Sequence, residues 1–386
     1  MKRRVLDIIR CPIYSGKLDL LVFESKKIEL SSEYIKRIED IGLNKNEFDE
    51  EILAGALINK EKMIYYPIIN GVPRMLTYNC GIFNQFTAKY KKQIAEKLSN
   101  YSLPNNTPPV GEETVIRSFS NEWVNYDWNE ETYWKTDSKL MYKSFRIMLD
   151  LDNKPVLNKT VLEVGIGIGG IANYMAEQEG CELFGIDLGY AVDAAYKNFN
   201  NNPFFHIIQA SAFNMPFENS SFDYIYSQGV LHHSSDPKIC FNNVAKLCKT
   251  NGFFYVWLYS TVSENRNLFR KFLMLAEKTF RPLVWRLPSF LQSIILFPVA
   301  ILYIIHQNFL QNPKDNRLIK YTYREALHAA RDRFTPRYAF RYSEEEIVNW
   351  YKEAGFINLL PSSKRKYPDF LIPDFYIATV VIGQKS

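Results

Sequence analysis

The chain reads as an α/β protein: a doubly wound sheet, with a small β-rich domain ahead of it and a helical insertion late in the sequence. Three observations predict this. From Thr160 onward, short apolar strand patterns alternate with amphipathic helix patterns. The first of those strands, in VLEVGIGIGG from Val161 to Gly170, breaks into Gly165, Gly167, Gly169 and Gly170. After a long apolar and basic insertion, the alternation resumes at Ser343.

Composition sets the limits. The 386 residues suffice for one large domain and a smaller one. A net charge of +5 is mild for this length and does not call for a nucleic-acid partner. Cys11, Cys80, Cys181, Cys240 and Cys248 are odd in number and include no C-x-x-C pair. That pattern argues for reduced thiols in the cytoplasm. The start, MKRRVLDIIRCPIYSG, makes a poor signal peptide because Asp7 and Arg10 interrupt its apolar stretch.

Residues 1–78 make the small domain. KLDLLVF alternates and predicts a strand. SSEYIKRIEDIGLNKNEFDEEIL is polar with a helical pattern, and Ser31 or Ser32 is its cap. MIYYPIINGVPRML predicts two apolar strands around an Asn70-Gly71 turn. Residues 79–154 start as helix and pass through LPNNTPPVG, whose proline and asparagine density marks a linker. Trp123, Trp128 and Trp134 then cluster within 112–150. That segment suits either a lid over a pocket or a helix on the flank of the next domain.

The large domain occupies residues 155–386. TVLEVG, CELFGID, FFHIIQA, FDYIYSQ and FFYVWLY are its first five strands. GIANYMAEQE, YAVDAAYKNFN and PKICFNNVAKLCK are helices between them, the last ended by Asn251-Gly252. SEEEIVNWYKEAG is a helix with Ser343 as N-cap and Glu346 at its third position. FINLLP and FYIATVVIG are the last two strands. In such sheets ligands bind at the carboxyl ends of the strands.

The insertion covers residues 262–342. Its most apolar part, Phe290 to Ile305, holds Gln292, Ser293 and Pro298 and falls short of the about 20 residues that a bilayer span needs. Arg266, Arg270, Lys271, Lys278, Arg281 and Arg286 lie upstream. The reading favours a helical cap over the active site or a homodimer face; peripheral membrane contact through 282–310 is the alternative. Beyond it, Arg331, Arg333, Arg337 and Arg341 interleave with Phe334, Tyr338, Phe340 and Tyr342. Such a pattern suits an anion, stacked bases, or aromatics docked on the sheet.

The glycine turn fits two cofactor classes. Gly165-x-Gly167-x-x-Gly170 satisfies the dinucleotide pattern, and Asp187 ends the next strand, where an acid accepts from ribose hydroxyls. Glu163 tips the balance. In a strand it points to the same side as Gly165, where a carboxylate suits a ligand with a positive centre better than a pyrophosphate.

VLEVGIGIGG, GIDLG, MPFENSSFDYIYSQGVLHH and LCKTNGFFYVW together resemble class I S-adenosylmethionine-dependent methyltransferases, over about residues 155–260 and 343–384. The resemblance implies a Rossmann-like seven-stranded sheet whose last strand is antiparallel. It implies that Glu163, Gly165, Gly167 and Gly169 shape a methionine pocket and that Asp187 holds the ribose. Leu188 would flank the adenine, Ser211 and Ala212 would lie at its edge, and Gln228 would close the site. Ser211 stands where the family usually carries an acid, and a hydroxyl accepts more weakly than a carboxylate.

LDIIRCPIYSGKLDL followed by MIYYPIINGVPRML resembles the small zinc-ribbon family that includes methyltransferase activator subunits. Here Tyr14 replaces the second cysteine of the first knuckle, and Ile58–Tyr66 holds no cysteine. A structural zinc needs four ligands, so the expectation is a ribbon without metal.

His232 and His233 follow the fourth strand and are the candidate general bases for a hydroxyl acceptor. The competing reading makes them structural, and a neutral amine acceptor needs no strong base. With only Asp236 nearby, they do not make a metal site. The functional expectation is methyl transfer to an O or N atom of a small molecule: a sugar, a lipid-linked compound or a secondary metabolite. RNA methylation and a non-catalytic cofactor-binding scaffold are the alternatives.

Overall fold

The structure is a computed structural model and describes residues 1–123, 132–133, 136–261, 268–311, 319–371 and 378–386. Four strands open the fold: β1 (Asp19–Lys27), β2 (Glu50–Asn59), β3 (Ile64–Ile69) and β4 (Val72–Pro73), paired antiparallel in that order. Asn70 and Gly71 join the last two with φ of 51° and 78°. A two-residue turn with both angles positive matches the twist of the strands it connects. A Cβ at Gly71 would fall on the Tyr196 ring, so close approach requires glycine there as well.

α1 (Ser32–Asp40) starts at Ser31, whose Oγ accepts from the Tyr34 N–H at 3.2 Å. It is shorter than the sequence pattern predicts. Gly42, at φ 72°, closes it: the Leu43 N–H donates back to the Ile38 carbonyl at 3.0 Å. Residues 50–53, expected in this helix, instead begin β2. There Ile52, Ala54, Ala56 and Leu57 are buried between β1 and β3, and burial outweighs a weak helical propensity.

α2 (Gly81–Lys89) and α3 (Lys91–Lys97) pack Phe86 and adjacent Tyr90 and Leu98 onto this sheet. α4 (Glu112–Trp123), β5 (Thr132–Tyr133), β6 (Thr136–Asp137) and α5 (Ser138–Met148) follow. The tryptophan cluster read as a lid lies outside the residues whose side chains are described.

The large sheet begins with β7 (Thr160–Val164), α6 (Gly170–Gln178), β8 (Glu182–Asp187), α7 (Ala191–Phe199) and β9 (Phe205–Gln209). β7, β8 and β9 pair in parallel and are buried nearly throughout, as their continuous apolar runs require. β10 (Phe222–Gln228), α8 (Pro237–Ala245) and β11 (Cys248–Tyr259) continue it. The last helix was expected to run to Asn251-Gly252. It stops at Ala245 because the carbonyls of Lys246 and Leu247 already accept sheet-like bonds from Ser220, Ser221 and Phe222. Asn251, at φ 65°, lies within β11.

α9 (Leu268–Val284), α10 (Ser289–Ile305) and α11 (Tyr323–Phe334) form the insertion. Leu296 and Ala300 of α10 meet Val284, Ala326, Ala329, Ala330 and Phe334. α12 (Glu344–Glu353) opens with the capping box read from the sequence: the Glu346 N–H donates to Ser343 Oγ at 3.2 Å and the Ser343 N–H to the Glu346 carboxylate at 2.7 Å. β12 (Phe356–Pro361) and β13 (Ala378–Lys385) finish the sheet, paired antiparallel.

The seven strands run in the order β12-β13-β11-β10-β7-β8-β9. This is the expected doubly wound, Rossmann-like sheet. Strand order reverses at β7, so the glycine turn after β7 occupies the switch point where such sheets take ligands. The chain divides into two compact units. One comprises Met1–Val110, Val156–Ile225 and Ile239–Phe253; the other comprises Gly111–Pro155, Tyr226–Lys238 and Phe254–Ser386. In the first unit the edge of β9 is covered rather than open: the Met75 N–H donates to the Gln209 carbonyl at 2.8 Å.

Candidate active site

The glycine turn owes its path to three left-handed residues: φ is 89° at Gly165, 52° at Gly167 and 83° at Gly169. L-side chains avoid these angles, which is why glycines alternate here. The N–H groups of Gly165 and Ile166 both donate to the Ile186 carbonyl, at 2.8 and 3.0 Å, and tie the turn to β8. Glu163 is buried near the end of β7, two residues before Gly165. Gly169 has a packing duty besides. A Cβ there would lie 3.0–3.2 Å from Ala195, Phe205 and Phe199, so glycine lets α6 start close against its neighbours.

Asp187 ends β8. Its Oδ2 accepts from the Gly167 N–H at 3.0 Å and its Oδ1 from the Gly189 N–H at 2.8 Å. The carboxylate therefore clamps the glycine turn to the loop after β8. Burial pushes its pKa up to about 6, against the lowering pull of the Gly189, Gly167 and Leu188 amides. Each carboxylate oxygen has a further lone pair for a ligand hydroxyl.

Ser211 is buried, and its Oγ accepts from the Phe213 N–H at 3.0 Å. It closes its own turn, beside a half-buried Ala212. Leu188 follows Asp187, and its carbonyl accepts from the Gln209 side-chain amide at 2.9 Å. Gln228 belongs to the second unit, where the Tyr255 hydroxyl donates to its Oε1 at 2.5 Å.

A residue the sequence reading missed supports this region. Arg74 is fully buried, and its Nη1 donates to Asp193 at 3.2 Å and to Gln209 Oε1 at 3.1 Å. Arg74, Gln209 and the Leu188 carbonyl thus form a relay from the N-terminal sheet to the loop beside Asp187. The available signal was an arginine inside the apolar run NGVPRML.

The two histidines, both in the second unit, are not equivalent. The His233 Nδ1–H donates to the Tyr338 carbonyl at 2.7 Å, which leaves the lone pair on Nε2. Burial lowers its pKa to about 4, against the raising pull of Asp332 and the Tyr338 carbonyl bond. His232 is fully buried, with its ring centroid 4.0 Å from that of Tyr259 and 4.2 Å from that of His233. Among the described residues neither of its ring nitrogens has a hydrogen-bond partner, and burial, His233 and the nearby arginines hold its pKa well below the usual histidine range. Both rings are neutral at neutral pH.

The arginine-aromatic segment is largely turned inward. Arg341 donates to Glu277 at 2.9 and 3.1 Å, with Arg281 on the same carboxylate. Arg331 donates to Ser293 Oγ at 2.6 Å, and Arg337 lies 5.0 Å from the Trp285 ring. In the N-terminal part of the chain, Cys11 Sγ lies 3.3 Å from the Tyr66 hydroxyl. Among the described residues, no three of His, Cys, Asp and Glu converge as metal ligands.

Residues 162–256 match the methyltransferase domain family. The chain carries a class I S-adenosylmethionine-dependent methyltransferase domain. Over 113 residues the chain is 30% identical to phosphoethanolamine N-methyltransferase 2 of Caenorhabditis elegans, covering 28% of this chain and 25% of the relative. Over 108 residues it is 30% identical to a sterol 24-C-methyltransferase of Schizosaccharomyces pombe, covering 26% and 28%. It spans only about a quarter of the length of these curated relatives. A solved Haemonchus contortus phosphoethanolamine N-methyltransferase 2, in complex with phosphomonomethylethanolamine and S-adenosylhomocysteine, is 13% identical. That match covers 73% of this chain and 62% of that one, with a TM-score of 0.42. The methyltransferase domain thus includes the glycine turn, Asp187, Ser211, Gln228 and both histidines, whereas the ribbon-like sheet and the helical insertion lie outside the matched segment.

Proposed function

We propose that this chain transfers the methyl group of S-adenosylmethionine to an oxygen or nitrogen atom of a small molecule. The observation that carries the reading is the clamp at Asp187, which fixes a carboxylate against a turn of three left-handed glycines within the methyltransferase domain. The donor set fits that cofactor. Asp187 retains acceptor capacity for the two ribose hydroxyls, and Glu163 supplies negative charge for the cationic methionine end. Leu188 and Ala212 offer apolar contact to the adenine. Ser211 offers a weaker acceptor than an acid because its hydroxyl already serves its own turn.

When bound, S-adenosylmethionine supplies an electrophilic methyl on a sulfonium. The protein's task is to align the acceptor and exclude water. For a hydroxyl acceptor, His233 is the better base: its tautomer is fixed by the Tyr338 carbonyl, so Nε2 carries the lone pair across neutral pH. His232, packed at a tilt against Tyr259 and without a polar partner among the described residues, is a packing element beside it.

Calorimetry with S-adenosylhomocysteine tests the reading. Loss of a charged hydrogen-bond acceptor costs about 1.5–3 kcal/mol, so Asp187→Ala should weaken binding by about tenfold or more. Transfer of labelled methyl to a panel of amine and hydroxyl acceptors then separates nitrogen from oxygen. Unchanged affinity in Asp187→Ala would remove the cofactor assignment.

A further inference from the structure

The helical insertion carries an apolar surface that the methyltransferase domain does not need. From Ser289 to Leu310, α10 and the π-helical turn His306–Gln311 that extends it give 22 residues with no Asp, Glu, Lys or Arg, and an 18-residue window of them has a mean hydropathy of 1.9. At about 1.5 Å per residue this is roughly 33 Å of uncharged helix. Only 11% of its most apolar window is buried.

Leu296, Ala300 and Gln307 are the buried residues of this stretch, and Leu296 and Ala300 meet α9 and α11 with Val299, Tyr303 and Ile304 partly buried beside them. Phe290, Ile294, Phe297, Ile301 and Ile305 recur at i, i+4, i+7, i+11 and i+15 and so line a different face. Their exposures run from 37% to 65%, and Phe309 beyond them is 69% exposed. At about 200 Å² per ring, the three phenylalanines alone leave roughly 370 Å² in water. With the aliphatic neighbours the patch exceeds the roughly 300–600 Å² that is the largest on an ordinary monomer.

We propose that this face docks in the plane of an anionic lipid bilayer. The charge around it decides between lipid and a second copy. Over the described residues 274–311 and 319–334 there are seven Lys and Arg against three Asp and Glu. All three acids are engaged: Glu277 by Arg281 and Arg341, Glu325 in the α11 capping box, and Asp332 with the Tyr259 hydroxyl at 3.4 Å. Lys278, Arg286, Lys320 and Arg324 are exposed. A two-fold dimer would bring two copies of this net positive insertion together, whereas anionic headgroups neutralise it.

The same charges fix the mode of docking. α11 is packed along α10 and carries Arg324, Glu325, Arg331, Asp332 and Arg333. Driving α10 across a bilayer would take those groups into hydrocarbon at about 2.5–3.5 kcal/mol for each charge near the midplane. The helix therefore lies in the interface, with its apolar face down. This holds whatever the chain methylates.

Co-sedimentation of the full chain with vesicles tests it, using phosphatidylcholine with and without phosphatidylglycerol. The chain should pellet with the anionic vesicles and much less with the neutral ones, and high salt should release part of it. Phe290→Asp combined with Ile294→Asp should weaken binding by at least about tenfold, while S-adenosylhomocysteine affinity and the thermal melt stay near wild type. A wild-type chain that stays in the supernatant with both vesicle types overturns the proposal. So does a concentration-dependent dimer that the double variant abolishes without any vesicle binding, because a second copy would then cover the face.

Discussion

Under the proposed role of Asp187 as the ribose acceptor, its protonation sets the pH dependence of cofactor binding. Its pKa is raised to about 6 by burial, so the folded protein holds that proton more tightly than the unfolded chain does. The stability gained from this is complete below the ordinary carboxylate pKa and is lost as pH rises through about 6. Cofactor binding has the opposite sign, because ribose hydroxyls donate to the ionised form. Affinity for S-adenosylhomocysteine should be flat above pH 6 and weaken below it, by up to about tenfold per unit. Calorimetry from about pH 8 down to about pH 5 reads this directly, and Asp187→Asn should remove the dependence.

The histidines give a second residue-scale prediction. An unperturbed base would lose activity near pH 6.5, but His233 titrates at about 4. With a hydroxyl acceptor and saturating cofactor, the single-turnover rate should therefore stay level through 6.5 and fall only near 4. His233→Asn should slow the chemical step by roughly 10²–10⁴-fold. His232→Asn should mainly change the melt. A rate that falls through 6.5 in the wild type would take the role of base away from His233.

At the scale of elements, the N-terminal sheet supports the methyltransferase domain through specific buried pairs. Arg74 reaches Asp193 of α7 and Gln209 of β9, and Gln209 holds the Leu188 carbonyl. Breaking a buried pair from one side strands the other charge and typically costs about 3–5 kcal/mol. Asp193 is partly exposed, so the lower end of that range is expected for Arg74→Ala. The variant should also weaken S-adenosylhomocysteine binding, since the loop beside Asp187 loses its support. Arg74→Lys should recover part of the stability without the paired geometry. Equal affinity in Arg74→Ala would reduce this relay to a stability device.

At the scale of the whole molecule, acid should unfold the chain partly through Glu182. Burial raises the pKa of this carboxylate, but the bonds from His206 and Arg4 overcome that and hold it down at about 2. Arg4 donates to both of its oxygens at 2.9 Å, and His206 Nε2 lies 3.0 Å away. A depressed carboxylate contributes stability above its unfolded pKa and loses it as pH falls through the folded one. The wild type should therefore lose stability between about pH 4.5 and pH 2, and Glu182→Gln should be weaker at neutral pH with a shallower acid slope. Denaturant melts along that range measure both.

What the sequence determined by itself is what depends on near neighbours. Short apolar runs alternating with amphipathic helix patterns gave every strand of the large sheet, and Ser343 with Glu346 gave a helix start. Gly165, Gly167 and Gly169 announced a turn only glycine can make, and Asp187 an acid at the end of the next strand, whereas its clamp on the Gly167 N–H is tertiary. Elements failed where local pattern was ambiguous: β2 was hidden behind polar residues, and α8 was overrun because Lys246 and Leu247 are held by a distant strand. Tertiary structure decided the rest. Arg74 finds Asp193 across 119 positions, and His233 finds the Tyr338 carbonyl across 105, so neither relay nor tautomer is written in any short stretch. In the sequence, the apolar run of the insertion favoured a cap or a dimer face, with membrane contact as the alternative. Only packing separates these readings, because it buries Leu296 and Ala300 while leaving Phe290, Ile294 and Phe297 in water.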